Sequence, residues 1–468
     1  NQRRYLIDDL VIGDYGDDCS AISYSEGGIC RCNQGGRTVY MKRFVEGYRS
    51  EKILSGELTI PSSVCYTDGI RLHAPLNEVS LLMTDDAYAV RATIGMKTGA
   101  FAAEQIQLNF TDTHNVRLQM INTSTTDAKR ALEDEKESKR IHAVGGVVTE
   151  DLLDDESVVF IDPQELHPGM NKFRRHVICL SPTLEQEFFV LAQYLGKISR
   201  ANAHAVIRSD EGAAMTDVLR RSLVTFGGSL LSSTLLAGGD ALGDYLPHKG
   251  DVFVVGLAAA DAAVIAEHLA KNRGVRVLVL FAEVSWLYDE FVAVFNGSAA
   301  AGRLVFATSL PHWADTNTTS ETVQRFHAAV WNTKKWTPLA LRSFASTILV
   351  KTILSRMELV SAEVLVDFFY KNVAIAVADM FYGSFKDGTR CGGQNNMSSA
   401  ECAVNYGARR ISVWSMARVL DPAVPELFPA VTPSMEYREQ LNNGASKEKL
   451  IAVIVGSISG GVLLAALF

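Results

Sequence analysis

The sequence lacks the short motifs that mark several large classes of enzyme. It contains no Gly-x4-Gly-Lys-Ser/Thr segment, which excludes a P-loop nucleotide site. It contains no His-Glu-x-x-His segment, which excludes the metalloproteases that use this motif. The Gly-x-Ser-x-Gly motif of serine hydrolases is missing too, because Ile458 occupies the serine position of "GSISG". We therefore expect neither catalytic residues nor a bound cofactor in this chain.

Signals for metal and nucleic-acid binding are also absent. The segment "CRC" (Cys30 to Cys32) has no second cysteine pair or nearby histidine to complete a zinc site. The net charge is −8, and no basic stripe is interleaved with aromatic residues, so we expect no nucleic-acid partner. With 47% hydrophobic and 21% charged residues among 468, the composition is nonetheless that of a folded protein with room for two or three domains.

The 19 residues at 450–468 contain no charged residue. As a helix they would be about 28 Å long, close to the roughly 30 Å of a bilayer's hydrocarbon core. Their terminal position, charged flank and lack of a polar face favour a single membrane helix over a buried core helix. Gly456 and Gly460 have the Gly-x-x-x-Gly spacing that lets two helices approach closely, which predicts a homodimer contact. The proline-containing stretch at 431–449 is interpreted as a stalk.

Cysteines and sequons favour an extracellular position for residues 1–449. Four of the seven cysteines lie in the first 65 residues and two near the end, a clustering typical of an oxidising compartment. Cys179 lies in an apolar strand pattern and is interpreted as a buried thiol. Five Asn-x-Ser/Thr sequons are candidate glycosylation sites: Asn109, Asn122, Asn296, Asn317 and Asn396.

One small cysteine pattern occurs twice, near each end of the chain. Cys19 and Cys30 are followed by Asn, Gly and Arg at three, five and seven residues after the second cysteine. Cys391 and Cys402 are followed by the same three residue types at the same distances. The shared spacing favours a tandem repeat over coincidence.

Between the two copies, short apolar runs alternate with helical patterns. "DVFVVGL" (251–257) is one of several nearly continuous Val/Leu/Ile runs, which are typical of buried parallel strands. Strands alternating with helices predict an α/β fold with parallel sheets flanked by helices. Two such series are followed by a mainly helical segment after residue 310, which would lead the chain back to the first lobe. This order predicts a two-lobed clamshell over 76–430. Lobe 1 is expected at about 76–198 and 336–430, and lobe 2 at about 199–335.

A clamshell of this kind would hold a small extracellular ligand between its lobes, because ligands bind beyond the carboxyl ends of parallel strands. A carboxylate could bind at the helix start at Thr183, and Asp210 or Glu283 could face an ammonium group. Each residue could equally be a helix cap or a loop residue, and the cleft could bind nothing and serve for dimerisation. The candidate cleft residues are Thr84, Asp85, Gly146, Thr149, Asp162, Ser181, Thr183, Ser209, Asp210, Glu283, Ser285 and Trp286.

Three long segments carry a family resemblance: "LSPTLEQEFFVLAQYLGKI", "AVIRSDEGAAMTDVLRRSLVTFGGSL" and "NYGARRISVWSMARVLDPAVPELFPAVTPSMEY". Together with the apolar terminus, they resemble the extracellular region of trypanosomatid receptor-type adenylate cyclases. The order of elements over about 76–420 resembles type I periplasmic binding proteins. The resemblance implies a dimeric ectodomain on the plasma or flagellar membrane. The chemistry of cAMP synthesis would belong to a cytoplasmic domain that is not among these 468 residues.

On this resemblance, the repeated cysteine pattern closes a clamshell, and residues 1–70 are the end of a preceding one. We then expect disulfides Cys19–Cys30 and Cys391–Cys402, with the two unmatched cysteines paired as Cys32–Cys65. Three functions stay open at this point. The first is the sensory ectodomain and membrane anchor of a receptor-type adenylate cyclase. The second is a membrane-tethered solute-binding protein. The third is a surface antigen or adhesion scaffold without a ligand.

Overall fold

The computed structural model describes residues 38–45, 49–57, 76–83, 87–106, 116–138, 141–199, 201–356, 361–371, 374–388 and 403–438. The strands in these ranges are β1 Thr38–Val45, β2 Arg49–Glu57, β3 Leu76–Met83, β4 Val116–Thr123, β5 Ala143–Val148, β6 Phe160–Ile161, β7 Gln164–Glu165, β8 Val177–Ile178, β9 Asn202–Ile207, β10 Ser229–Leu235, β11 Gly250–Val255, β12 Val275–Val279, β13 Leu304–Thr308, β14 Ile375–Val377, β15 Met380–Tyr382, β16 Ile411–Ser415 and β17 Phe428–Val431. The helices are α1 Ala87–Gln105, α2 Ala128–Ser138, α3 Leu184–Ile198, α4 Gly212–Thr225, α5 Ala259–Lys271, α6 Phe281–Trp286, α7 Tyr288–Phe295, α8 Glu321–Ala329, α9 Pro338–Arg356, α10 Ala362–Lys371 and α11 Met416–Leu420.

Two separate sheets form the cores of two lobes. The lobe 1 sheet has strand order β4-β3-β5-β6-β8, with β7 paired to β5, and its strand pairs are parallel. The lobe 2 sheet has order β10-β9-β11-β12-β13-β16-β17. Its first five strands are parallel, and β16 and β17 join antiparallel. The predicted α/β fold with parallel sheets is confirmed.

The membership of the lobes differs from the predicted boundaries. Helix α3, expected in lobe 1, packs on lobe 2, where the Phe188 ring lies 5.6 Å from that of Phe253. Strands β16 and β17, also expected in lobe 1, extend the lobe 2 sheet from β13. Helix α8, expected in lobe 2, packs on lobe 1, where the Phe326 ring lies 5.5 Å from that of Phe344. The chain therefore crosses between lobes before α3, before α8 and before β16.

Local sequence signals explain where several helices begin. Thr183 and Gln186 form a capping box at the start of α3, with side chain and backbone bonded in both directions. The Ser320 side chain caps α8 by accepting a hydrogen bond from a backbone N–H in the first turn. Pro338 is the first residue of α9, and the preceding Thr337 accepts from the Ala340 N–H at 3.2 Å. Each of these helices therefore begins where its own first residues favour a helix start.

The two lobes are held together by apolar contacts as well as by the chain crossings. Helix α6 of lobe 2 contacts α1 and α9 of lobe 1. One continuous buried cluster includes Ala102 on α1, Phe281 on α6 and Phe344 on α9. Trp286, at the end of α6, packs against the lobe 1 core. The lobe contact is therefore apolar around α6, and this helix links the two cores.

Close packing of α1 on α9 depends on Gly99, because an added Cβ would lie 1.9 Å from the Ala340 carbonyl oxygen. We expect Gly99→Ala to lower the free energy of unfolding by about 1–3 kcal/mol, as overpacked cores do. Gly274→Ala is the control, since no heavy atom lies within 4 Å of the Cβ position there. Chemical denaturation of the full chain in mild detergent measures both. Equal stability of the two variants would contradict the close approach of α1 and α9.

Several predictions lie wholly or partly outside the described residues. The predicted disulfide cysteines, the sequons Asn109 and Asn396, and the contact glycines Gly456 and Gly460 are in this group. In the described part of residues 1–70, β1 and β2 form an antiparallel hairpin. Within the described ranges, no helix is both long and apolar enough to cross a membrane. The predicted membrane helix at 450–468 and the tandem repeat stay predictions.

Candidate ligand cleft between the lobes

Asp162, which follows β6, lies at the centre of a saturated hydrogen-bond network. Its buried carboxylate forms a bidentate pair with Arg342 on α9, with distances of 2.7 Å from Nε and 2.9 Å from Nη2. It also accepts from the backbone N–H groups of Leu180 and Ser181 and from the Ser181 hydroxyl. Paired and fully bonded, this carboxylate joins the sheet to α9 and has little capacity left for a ligand.

A small cavity lies beside this pair, inside lobe 1. Its volume of about 20 Å³ has room for about one water molecule. It is lined by Glu78, Ser80, Met96, Gly145, Gly146, Ile161, Asp162, Gln164, Leu339, Arg342, Ser343, Ser346, Thr347 and Val350.

Glu78 is the least compensated charged group of this cavity. It is 5% exposed, and the Thr347 hydroxyl lies 3.4 Å from its Oε1. Its Oε2 is buried and has no hydrogen-bond partner among the described residues. Burial raises the pKa of Glu78 to about 8, against a weaker opposing effect of the Thr347 hydrogen bond. The carboxyl group is therefore mostly protonated near neutral pH.

On the lobe 2 side, Glu283 lies in the first turn of α6, next to the lobe contact. Its Oε1 accepts from the N–H groups of Gly256 at 2.8 Å and Leu257 at 2.6 Å, just beyond the carboxyl end of β11. Its Oε2 is buried without a partner among the described residues. Burial raises the pKa of Glu283 to about 7, although the two backbone donors favour the ionised form. This group can change its charge near neutral pH.

Arg208, just after β9, approaches the same loop. Its Nη1 donates to the Gly256 carbonyl at 2.6 Å and to Asp261 at 2.8 Å, while its buried Nε has no partner among the described residues. The Arg208 charge favours ionisation of Glu283. An unpaired buried donor after β9 and an unpaired buried acceptor after β12 thus lie on the two sides of β11, the strand between them. Such groups are costly unless water or a ligand completes them.

Glu187 on α3 fixes the position of α6. Its Oε2 accepts from the Phe281 N–H at 2.7 Å, the first residue of that helix. Burial raises its pKa well above the ordinary value, and the negative charge of Glu283 adds to this effect, whereas Arg342 of lobe 1 opposes it. Arg342 of lobe 1 therefore lies near enough to Glu187 of lobe 2 for its charge to favour ionisation of that carboxyl group.

At the rim of the contact, Lys172 bridges the lobes. Its Nζ lies 2.5 Å from Oε1 of Glu150 in lobe 1 and 3.3 Å from Oε1 of Glu211 in lobe 2. Glu211 also accepts from the Met170 N–H at 2.8 Å. The segment before β8 is therefore held to the start of α4. These side chains are partly exposed, so each ion pair contributes little stability by itself.

The structure uses most other predicted cleft residues as local hydrogen-bond partners. The Thr183 N–H donates to Gln186 at 3.2 Å, so it is occupied and the predicted carboxylate contact there is not available. Ser209 and Ser285 bond within their own segments, to Glu211 N–H and the Phe281 carbonyl.

The remaining predicted residues are dispersed. Thr149 is 2.5 Å from an oxygen of Asp151. Gly146 lies inside β5 with φ +93°, where a Cβ would be 2.2 Å from the Leu81 carbonyl oxygen. Asp210 is exposed, and Thr84 and Asp85 lie outside the described residues. Of the predicted set, the structure brings Asp162 together with Ser181 and, at the lobe 1 cavity, with Gly146, and it places Glu283 and Trp286 at the lobe contact.

Four charged residues of the site were missed from sequence: Glu78, Glu187, Arg208 and Arg342. A signal was present for three of them, because each is a lone charge in an apolar stretch: "NEVSLLM" for Glu78, "EFFVLA" for Glu187 and "LALRSF" for Arg342. A charged residue at a core-facing position is almost never left without a partner. That rule identifies a buried charge but not its partner, which lies far away in sequence.

Comparison with known proteins agrees with this architecture. The family model "Adenylate cyclase, periplasmic binding protein-like domain" matches residues 72–438. The receptor-type adenylate cyclase ESAG 4 of Trypanosoma brucei brucei is 43% identical over all of this chain and 38% of its own length. Receptor-type adenylate cyclase B of Leishmania donovani is 27% identical over 95% of this chain and 34% of its own length. The chain thus spans little more than a third of the length of these relatives.

Solved structures show the same fold at low identity. An extracellular ligand-binding receptor from Verminephrobacter eiseniae matches with a TM-score of 0.55 and 15% identity, over 73% of this chain and 98% of its own. A branched-chain amino acid ABC transporter protein from Thermus thermophilus with bound valine matches with a TM-score of 0.55 and 12% identity, over 78% and 98%. With two parallel-sheet lobes and a family model covering 72–438, the chain belongs to the periplasmic-binding-protein-like domain family of the trypanosomatid receptor-type adenylate cyclases.

Proposed function

We propose that this chain is the sensory region and membrane anchor of a receptor-type adenylate cyclase at the cell surface. The observation that carries the sensing role is the pair of unpartnered buried atoms at the lobe 2 strand ends, Glu283 Oε2 and Arg208 Nε. Family membership supports the connection to cAMP synthesis, which would occur in a part of the receptor outside these residues. The membrane helix at 450–468 would provide the anchor in the bilayer.

The charges favour a small zwitterionic ligand, such as an amino acid. Glu283 Oε2 offers an acceptor to an ammonium group, and Arg208 Nε offers a charged donor to a carboxylate. The fold match to a protein with bound valine is compatible with this ligand class. Binding at Glu283 and Arg208 would require the apolar contact around α6 to open, because both unpartnered atoms are buried.

Ligand-dependent movement of the lobes would be the signal. The Arg342 charge of lobe 1 acts on the Glu187 carboxyl group of lobe 2, and Lys172 bridges the rim. A ligand that binds the open arrangement better than the closed one would shift the lobes by its difference in affinity. In a homodimer with paired membrane helices, that shift would change helix contact at Gly456 and Gly460.

Exposure of three sequons is consistent with a glycosylated surface protein. Asn122 at the end of β4, Asn296 after α7 and Asn317 before α8 are all exposed. Glycans at these positions would face solvent on both lobes without disturbing either core. Glycosylation and dimerisation remain part of the proposal.

A ligand-free scaffold is the second candidate, and one observation favours it. The lobes meet through a buried apolar cluster that includes Ala102, Phe281 and Phe344, with no ligand-sized space in the described cavity. In that case the fold would serve as a surface antigen or adhesion module, and the buried pair Glu283 and Arg208 would be completed by water.

Calorimetric titration of the full chain separates the two candidates. The panel is a set of zwitterionic amino acids, primary amines without a carboxylate, and aromatic carboxylates. We expect a zwitterion to bind, and Glu283→Gln to weaken its binding at least about tenfold, because the charge that meets the ammonium is removed. Glu267→Gln, an exposed change on α5, should leave the affinity unchanged.

Absence of binding by every class in the panel would support the scaffold. Binding that is unaffected by Glu283→Gln would place the ligand elsewhere. Coupling is tested by exchanging this chain for the matching region of the Trypanosoma brucei relative and measuring cAMP formation in membranes. A response to the bound zwitterion that is lost with Glu283→Gln is expected.

A further inference from the structure

The last described segment of the chain lies along lobe 2. We call residues 428–438 the C-terminal strap. Its first part is β17, which pairs antiparallel with β16 through Val413 opposite Phe428 and Ile411 opposite Val431. Over 431–438, odd-numbered residues are half-buried and even-numbered residues are exposed. This alternation places one side of the segment against the protein, although the positive φ of 56° at Met435 interrupts an extended course.

Tyr437 fastens the end of the strap to the lobe 2 helices. Its ring meets the Phe189 ring of α3 edge-on, with centroids 5.6 Å apart, and the Arg221 guanidinium of α4 lies 4.9 Å from its centroid. Aromatic and cation–π contacts of this geometry are attractive. The next residue, Arg438, donates its backbone N–H to the Thr225 hydroxyl at 3.0 Å. Three contacts of different chemistry thus meet at the end of the strap.

The position of Thr225 shows where on lobe 2 the strap ends. Helix α4 begins after the carboxyl end of β9 and ends just before β10, and these two strands are parallel neighbours. Its last residue, Thr225, therefore lies at the amino edge of the sheet. Glu283 lies beyond the carboxyl ends of the same sheet, so the strap leaves lobe 2 at the end opposite the lobe contact.

From this placement we infer that lobe 2 carries all of the chain that follows Arg438, with Tyr437 as the positioning residue that fixes the exit. Lobe 1 is then the free lobe, and its motion reaches the rest of the receptor only through lobe 2. This deepens the proposed function and rests on it, because it names the lobe that delivers the signal. The predicted stalk at 431–449 accordingly begins as a docked strap and not as a free segment.

The inference sets a distance that can be measured. Twelve chain steps separate Arg438 from the start of the predicted membrane helix at residue 450, a reach of at most about 40 Å when fully extended. Lobe 2 would therefore lie near the bilayer, with lobe 1 on its far side.

Hydrogen exchange on the full chain in detergent tests the fastening. In Tyr437→Ala we expect the amides of 432–438 to exchange at least about tenfold faster, while β9 and β11 keep their protection. Tyr437→Phe keeps the ring contacts and loses only the hydrogen bond between the Tyr437 hydroxyl and Ser222, so its exchange should stay much closer to the wild type than that of Tyr437→Ala. Tyr245→Ala, which removes a partly exposed tyrosine elsewhere in lobe 2, controls for tyrosine loss. Unchanged exchange in Tyr437→Ala would overturn the role of Tyr437.

Energy transfer to a lipid dye in nanodiscs tests which lobe faces the bilayer. Fluorophores are placed through an unnatural amino acid at exposed Arg220 on α4 or exposed Lys129 on α2. Transfer should be stronger from residue 220, and Tyr437→Ala should weaken it. Equal or stronger transfer from residue 129 would overturn the inference while leaving the anchor intact. Failure of the chain to associate with nanodiscs would instead overturn the anchor, and with it the assignment of lobe 2 to the membrane side.

Discussion

Arg342→Ala should lower the free energy of unfolding of the full chain by about 3–5 kcal/mol. The change removes the bidentate partner of Asp162, whose side chain is 3% exposed, and leaves a buried carboxylate with only neutral donors. The loss is large because the remaining charge is no longer compensated in a poorly solvated site. Denaturant unfolding followed by tryptophan fluorescence measures it.

The matched control is Arg325→Ala on α8, which removes a pair with Glu321 whose two side chains are 47% and 54% exposed. That variant should lose no more than about 1 kcal/mol, since exposed pairs are solvated and screened. The double variant Asp162→Asn, Arg342→Leu should recover part of the loss, because no unpaired charge is then left behind. Equal effects of Arg342→Ala and Arg325→Ala would contradict the buried network.

Glu78→Gln should make the protein more stable than the wild type at pH 8.5 and change its stability little at pH 5. The ordinary pKa of 4.5 applies to the unfolded chain, and burial raises the folded value to about 8. Between these values the unfolded chain has lost a proton that the folded chain retains, so the Glu78 contribution to stability falls as the pH rises. At about 1.4 kcal/mol per pKa unit, the difference at pH 8.5 is on the order of a few kcal/mol.

Unfolding midpoints of both proteins at the two pH values provide the measurement. Glu267→Gln on α5 serves as the control, because this glutamate is exposed and pairs with Lys271 in solvent. Its difference from the wild type should not grow with pH. A Glu78→Gln protein that matches the wild type at pH 8.5 would show that Glu78 is solvated or paired in the folded state.

Sequence periodicity predicted the elements of this fold well. Apolar runs such as 251–257 correspond to buried strands, and the capping box at Thr183 and the proline at residue 338 mark observed helix starts. These features depend on neighbours within a few residues, where steric and hydrogen-bond preferences act directly. The α/β fold with parallel sheets follows from their order alone.

Lobe membership was predicted less well, because it depends on contacts between distant segments. The apolar face of α3 suits either sheet, and nothing in its own residues selects Phe253 as the partner of Phe188. The apolar residues of β16 predict a buried strand but do not indicate the sheet to which it belongs. In the structure β16 pairs with β13 in lobe 2. Hydrophobic burial is not directional, so sequence patterns identify a buried face without identifying what covers it.

The site shows the same division between local and tertiary information. Asp162 and Glu283 were chosen because they follow strands, a property that sequence can reveal. Whether the oxygens of such a carboxylate are all hydrogen-bonded depends on donors far away in the chain, such as Arg342 in α9. The structure shows that the Asp162 carboxylate is fully bonded, whereas Oε2 of Glu283 has no partner among the described residues.

The sequence by itself determined the class of fold, the starts of its helices and the family to which the chain belongs. Each of these follows from short-range patterns or from the long distinctive segments that carry the family resemblance. Only the tertiary structure decided which lobe holds α3, α8 and β16, which buried charges are paired, and where the strap ends at Tyr437. The physical reason is that pairing and burial energies depend on three-dimensional distance, which folding sets independently of separation along the chain.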